Sequence, residues 1–61
     1  MYNVYSKVSV LQKKDELCQR FKTIDEARDY CKRQNATYNY TADGIEYYRC
    51  NPVLEFYIIK E

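Results

Sequence analysis

Residues 2–11 (YNVYSKVSVL) alternate along the chain. Tyr2, Val4, Ser6, Val8 and Val10 fall on one side, with Asn3, Tyr5, Lys7 and Ser9 on the other. A period of two with β-branched and aromatic residues predicts a half-buried strand. Gln12-Lys13-Lys14-Asp15 reads as a polar loop, and residues 16–22 (ELCQRFK) as a returning antiparallel strand. A four-residue loop places Val10 opposite Leu17 and Ser6 opposite Phe21, which gathers the apolar members of both strands on one face.

The period then changes. Thr23-Ile24-Asp25-Glu26 matches a capping box, in which the Thr hydroxyl accepts from the amide three residues on and the Glu carboxylate accepts from the Thr amide. Beyond it Ile24, Ala27 and Cys31, with Tyr30 and Gln34 at the margin, form one helical stripe, while Asp25, Glu26, Arg28, Asp29, Lys32 and Arg33 cover the remainder. Acid leads and base trails, an order that complements the helix macrodipole and accounts for the Arg28/Lys32/Arg33 cluster. The helix is predicted to end near Asn35.

The rest reads as a meander. Asp43-Gly44 between TYNYT and IEYYR is a type I′ hairpin signal, because both central residues of that turn take positive φ. It sets Tyr40 opposite Tyr47 and Tyr38 opposite Arg49. Asn51-Pro52 makes the next break, since proline has no amide to give a ladder. A loop over 50–53 then pairs Tyr47 with Phe56 and Ile45 with Ile58, leaving Glu46 beside Tyr57 and Tyr48 beside Glu55 on the opposite face.

The predicted architecture is a single α+β domain over 1–61, a small antiparallel sheet with one helix on one face, in the order β-β-α-β-β-β. The predicted core comprises Val4, Val8, Val10, Leu17, Phe21, Ile24 and Ala27, then Cys31, Tyr40, Ile45, Tyr47, Leu54, Phe56 and Ile58. Sixty-one residues leave room for little more than that core, which weighs against a pocket holding cofactor, substrate and catalytic groups together.

Charge and composition narrow the chemistry. Ten basic against nine acidic residues give a net charge of +1, too little single-sign field for generic phosphate binding or for an acidic mimic of DNA. No apolar run reaches the ~18 residues of a membrane span. The start, MYNVYSK, has neither the basic region nor the apolar stretch of a secretory signal, so a chain complete from Met1 and cytoplasmic is expected. The sequons at Asn35 and Asn39 then carry no meaning.

Cys18, Cys31 and Cys50 lie 13 and 19 residues apart with no CxxC pair, and there is no histidine to complete a zinc site. Buried or half-buried thiols are expected, with one disulfide plus a leftover thiol as the alternative. The absence of histidine also removes the usual base near neutral pH, and a single glycine excludes Gly-rich phosphate loops. No catalytic residue, metal or cofactor is expected, and the chain does not read as an enzyme.

Tyrosine is the unusual element, eight residues against eleven Val, Ile and Leu. The strand parities send Tyr5, Tyr48 and Tyr57 to the face opposite the helix, with Lys7, Glu46 and Glu55. Tyrosine offers stiff, amphipathic contact area, so these six residues form the candidate protein-binding surface. The alternative is a nucleic-acid platform, with tyrosines stacking on bases and Lys7, Lys13, Lys14, Arg20 and Lys22 on phosphates. An exposed edge strand could also pair with a second copy.

In length, lack of enzymatic motifs, aromatic face and element order, the chain resembles the short inhibitors that phages and mobile elements encode, anti-CRISPR-like and antitoxin-like proteins among them. That resemblance implies a non-catalytic protein that binds and disables a larger host or cognate protein. The run Phe21-x-Thr23-x-x-Glu26-Ala27 is also similar to the strand-to-helix junction of sheet-plus-helix DNA-binding domains of the plant-factor and integrase-arm kind. This likeness implies the nucleic-acid alternative.

Overall fold

The computed structural model describes residues 1–10 and 13–61. The predicted end of the first strand at Leu11 and the loop start at Gln12 lie outside the described residues. The elements are β1 (Tyr2–Val8), β2 (Glu16–Phe21), α1 (Ile24–Arg33), β3 (Thr37–Ala42), β4 (Ile45–Asn51) and β5 (Leu54–Lys60). All ladders are antiparallel, and the five-stranded sheet runs β2-β1-β5-β4-β3. The chain is an α+β domain in the predicted order.

The strands holding the two ends of the chain, β1 and β5, lie at the centre of the sheet and pair from Tyr2↔Lys60 to Val8↔Leu54. The Glu61 amide closes this ladder by donating to the Met1 carbonyl at 2.8 Å. Because β2 and β3 occupy opposite edges, the segment between them must cross the whole sheet. Ten helical residues rise ~15 Å against ~19 Å for four inter-strand spacings, so α1 makes most of that crossing.

Both ends of α1 are built by local chemistry. Thr23 has extended φ and ψ (−123°, 154°), its hydroxyl accepts from the Glu26 amide at 3.2 Å, and the Glu26 carboxylate accepts from the Thr23 amide at 3.3 Å. At the other end Asn35 takes φ 62°, its amide donates to the Lys32 carbonyl, and the Ala36 amide reaches back to the Cys31 carbonyl at 3.1 Å. These two bonds are a Schellman closure with Asn in the usual glycine position, and Ala36 and Cys31 supply its hydrophobic contact in the core.

The core is small: Val4, Ala27, Cys31, Ala36, Tyr48, Phe56 and Ile58, with Tyr2, Phe21, Ile24, Tyr30, Cys50 and Leu54 packed around it. Eight predicted core residues hold a place in this set, Val4, Ala27, Cys31, Phe56 and Ile58 within it and Phe21, Ile24 and Leu54 at its margin, while Val8 is half-buried outside it. Val10 is instead 69% exposed and Leu17 47% exposed, while Tyr40, Tyr47 and Ile45 stand on the opposite face.

The reason is register. The β1–β2 ladder pairs Tyr2↔Phe21 and Tyr5↔Leu17 rather than Ser6 with Phe21 or Val10 with Leu17. Three bulges each add one residue to a strand and reverse its phase: Cys18 in β2, Asn39 in β3 and Cys50 in β4. The turn after β4 is the two-residue Pro52-Val53, held by the Asn51 side-chain oxygen accepting from the Val53 and Leu54 amides, both at 2.9 Å. With a shorter turn and a bulge, Tyr48 faces Phe56 where Tyr47 was predicted to.

Candidate protein-binding face

α1 packs chiefly over β1, β2 and β5. Among the described residues no helix covers the other side of the sheet, whose side chains follow the observed register. One row runs across four strands, Tyr40↔Tyr47, Tyr47↔Tyr57 and Tyr57↔Tyr5. The rings stand against one another with centroids 4.7, 5.6 and 5.4 Å apart and interplanar angles of 12°, 36° and 13°. The row is a four-ring ladder, ended on β2 by exposed Leu17 opposite Tyr5.

A charged row lies beside the ladder, Lys7↔Glu55↔Arg49↔Thr37. Arg49 and Glu55 form an ion pair at 3.5 Å. Lys7, Arg49, Glu55 and Tyr40 also line a shallow cavity of about 230 Å³ that continues over Pro52 and Val53. On the ladder's other flank Asn3 pairs with Arg20 and Ile59, and Ala42 with Ile45. Asn3 is buried there, donating to the Glu61 carboxylate at 2.9 Å, and Arg20 meets the same carboxylate at 2.9 Å. Those donors hold the Glu61 carboxyl below the usual carboxylate range, the Asn3 bond contributing most.

Of the six residues predicted for this surface, Tyr5, Lys7, Glu55 and Tyr57 are on it. Tyr48 and Glu46 are not. The one-residue change of register turns both onto the helix side, where Tyr48 is 4% exposed in the core. Its hydroxyl donates to Glu46 Oε1 at 3.0 Å, and Arg28 grips the same carboxylate through Nε at 3.0 Å and Nη2 at 2.6 Å. Burial, then the bond to Glu46, pushes the Tyr48 phenol up to about 12, while the Arg28 bond drives the Glu46 carboxyl below its ordinary value. Glu46 is thus the anchor that ties α1 to β4. Tyr40 and Tyr47, assigned to the core by parity, complete the ladder instead.

Tyr57 donates its hydroxyl to the Asp15 carboxylate at 2.5 Å, which draws the segment before β2 toward this face. Burial and that bond raise the phenol well above its ordinary range. The cysteines are all free thiols. Cys31 is buried and its thiol is pushed up to about 11 by burial, Cys50 is half-buried with its Sγ on the Gln34 carbonyl, and Cys18 is exposed, contrary to the expectation for it.

Comparison with protein-family models, curated proteins and solved structures finds no match for this chain. No three His, Cys, Asp or Glu side chains among the described residues cluster as metal ligands, and no helix among them is long and apolar enough to cross a membrane.

Proposed function

We propose that the protein is a non-catalytic protein-binding module that docks its uncovered sheet face, centred on Tyr5, Tyr47 and Tyr57, onto a larger partner protein. A phage or mobile-element inhibitor of a host protein, cytoplasmic in its site of action, is the instance the chain's general character favours. The observation that carries the reading is the orientation of the ladder. Each inner ring, Tyr47 and Tyr57, has its faces against neighbouring rings, which leaves ring edges rather than ring faces toward a partner, and Asp15 holds the Tyr57 hydroxyl.

Single-strand platforms work the other way, offering open ring faces on which bases stack. Here the faces of the inner rings Tyr47 and Tyr57 are occupied, and the row beside the ladder alternates Lys7, Glu55 and Arg49 rather than tracking a phosphate backbone. Half-buried rings and a mixed-charge flank match the composition of protein interfaces, in which tyrosine supplies contact area at little entropic cost.

The test compares tagged wild-type protein with the double variant Tyr5→Ser/Tyr47→Ser in capture from cells of the native host, circular dichroism confirming that both are folded. A specific partner held by the wild type and lost by the folded variant is the expected result. Equal capture by both overturns the reading. So does tight, salt-sensitive binding of an oligonucleotide by the wild type at low ionic strength, which would put nucleic acid in its place.

A further inference from the structure

An open sheet has two edges, and here they are unlike. β2 carries Glu16 and Arg20 within it and is bracketed by Lys13, Lys14, Asp15 and Lys22, with Arg20 tied to Glu61. Charges of this kind keep an edge from pairing. β3 reads TYNYTA, with no charge and no proline. Every residue from Thr37 to Thr41 is exposed, and a tyrosine stands out on each face, Tyr38 58% and Tyr40 46% exposed.

The hairpin geometry says which groups of β3 are free. Asp43 and Gly44 both have positive φ, 53° and 78°, as a two-residue type I′ turn requires. In such a turn the flanking pair Ala42/Ile45 and the pair Tyr40/Tyr47 exchange the ladder hydrogen bonds, so the N–H and C=O of Thr41 point away from the sheet. Toward a strand added outside, Tyr40 is therefore a non-hydrogen-bonded position, where opposing side chains come closest. Its ring has Tyr47 on one face, and the other face is where the ladder stops.

We propose that β3 pairs antiparallel with β3 of a second copy about a two-fold axis at Tyr40, joining two five-stranded sheets into one of ten strands and two four-ring ladders into one of eight. The uncharged strand sets no like charges opposite each other on self-pairing. Antiparallel register brings Asp43 of each copy to the end where its mate presents Thr37 backed by Arg49, whose charge is shared with Glu55. The bulge at Asn39 falls opposite Thr41 on either side of the axis, so the outward Thr41 groups meet a bulged residue of the mate and the regular contact is the Tyr40 pair at the centre. The pairing is independent of partner docking, which uses the middle of the face.

Sedimentation across a wide concentration range tests it. The wild type should move from its 7.4 kDa monomer mass to twice that value. Tyr40→Lys, an exposed substitution, and Thr41→Pro, which removes an outward amide, should each hold the monomer mass, while Leu17→Lys on β2 leaves the dimer intact. A wild type that stays monomeric throughout overturns the proposal, as does a dimer that survives Tyr40→Lys or one that Leu17→Lys breaks. Should Thr41→Pro fail to fold, a mixed sample of isotope-labelled and unlabelled wild type decides the matter. Nuclear Overhauser contacts between β3 residues of different copies are expected, and a dimer without them refutes the assignment.

Discussion

Tyr48 shows how one side chain can be placed by charge and packing together. Its ring fills the core, makes an edge contact with Tyr38, centroids 5.8 Å apart, and its hydroxyl ends on the Glu46–Arg28 pair. The phenol is raised from its ordinary 10 to about 12 by burial first and Glu46 second. A pKa raised on folding contributes stability that is whole below pH 10 and lost as pH climbs toward 12, because the unfolded chain ionises first. Thermal melts of wild type and Tyr48→Phe across that window should show the larger fall in Tm for the wild type, the remaining slope belonging in part to Cys31. An equal fall in both would deny the phenol this role. Glu46 supplies the mirror effect: its lowered pKa stabilises the fold above the usual carboxylate range and stops doing so as acid protonates it.

At the scale of elements, α1 is the part most fully determined by nearby residues. The capping box at Thr23-Glu26, the acidic first turn and the basic last turn act within one or two turns of helix and need no tertiary partner. Replacing Thr23 by Ala should cost about 1 kcal/mol, read as a lower midpoint in urea with an unchanged slope. The Asp43-Gly44 hairpin is equally local, and Tyr40↔Tyr47, the pair predicted from it, is the pair observed. Accuracy fades with distance from the turn. Tyr38 meets Tyr48 rather than Arg49, because Asn39 bulges between them. Nothing in the residue types of Cys18, Asn39 or Cys50 marks a bulge, since the extra residue is set by how neighbouring strands twist and pack.

For the whole molecule, sheet order has the larger consequence. With β1 and β5 central, the core is a single layer between the middle strands and one short helix. A domain of this size draws only about 3–5 kcal/mol from its core, and a buried Phe→Ala substitution costs about as much. Phe56→Ala, 6% exposed in the wild type and within 6.5 Å of Tyr30 by ring centroids, should therefore leave the chain largely unfolded at room temperature by circular dichroism. A cooperative melt near the wild-type temperature would show stability held elsewhere, in the tyrosine ladder for instance.

By itself, the sequence determined the element order, the α+β class, the Asp43-Gly44 turn, the position but not the length of the break at Asn51-Pro52, and the inward faces of β1 and β5, because capping, turn chemistry and strand alternation act over a few residues. It also placed Tyr5, Lys7, Glu55 and Tyr57 on one face. Only the tertiary structure decided that Tyr48 goes inward with Glu46 while Tyr40 and Tyr47 come out, and that β3 is left as an uncharged edge. A side-chain period of two makes every single-residue bulge a reversal of face, and bulges answer to long-range packing that no local pattern records.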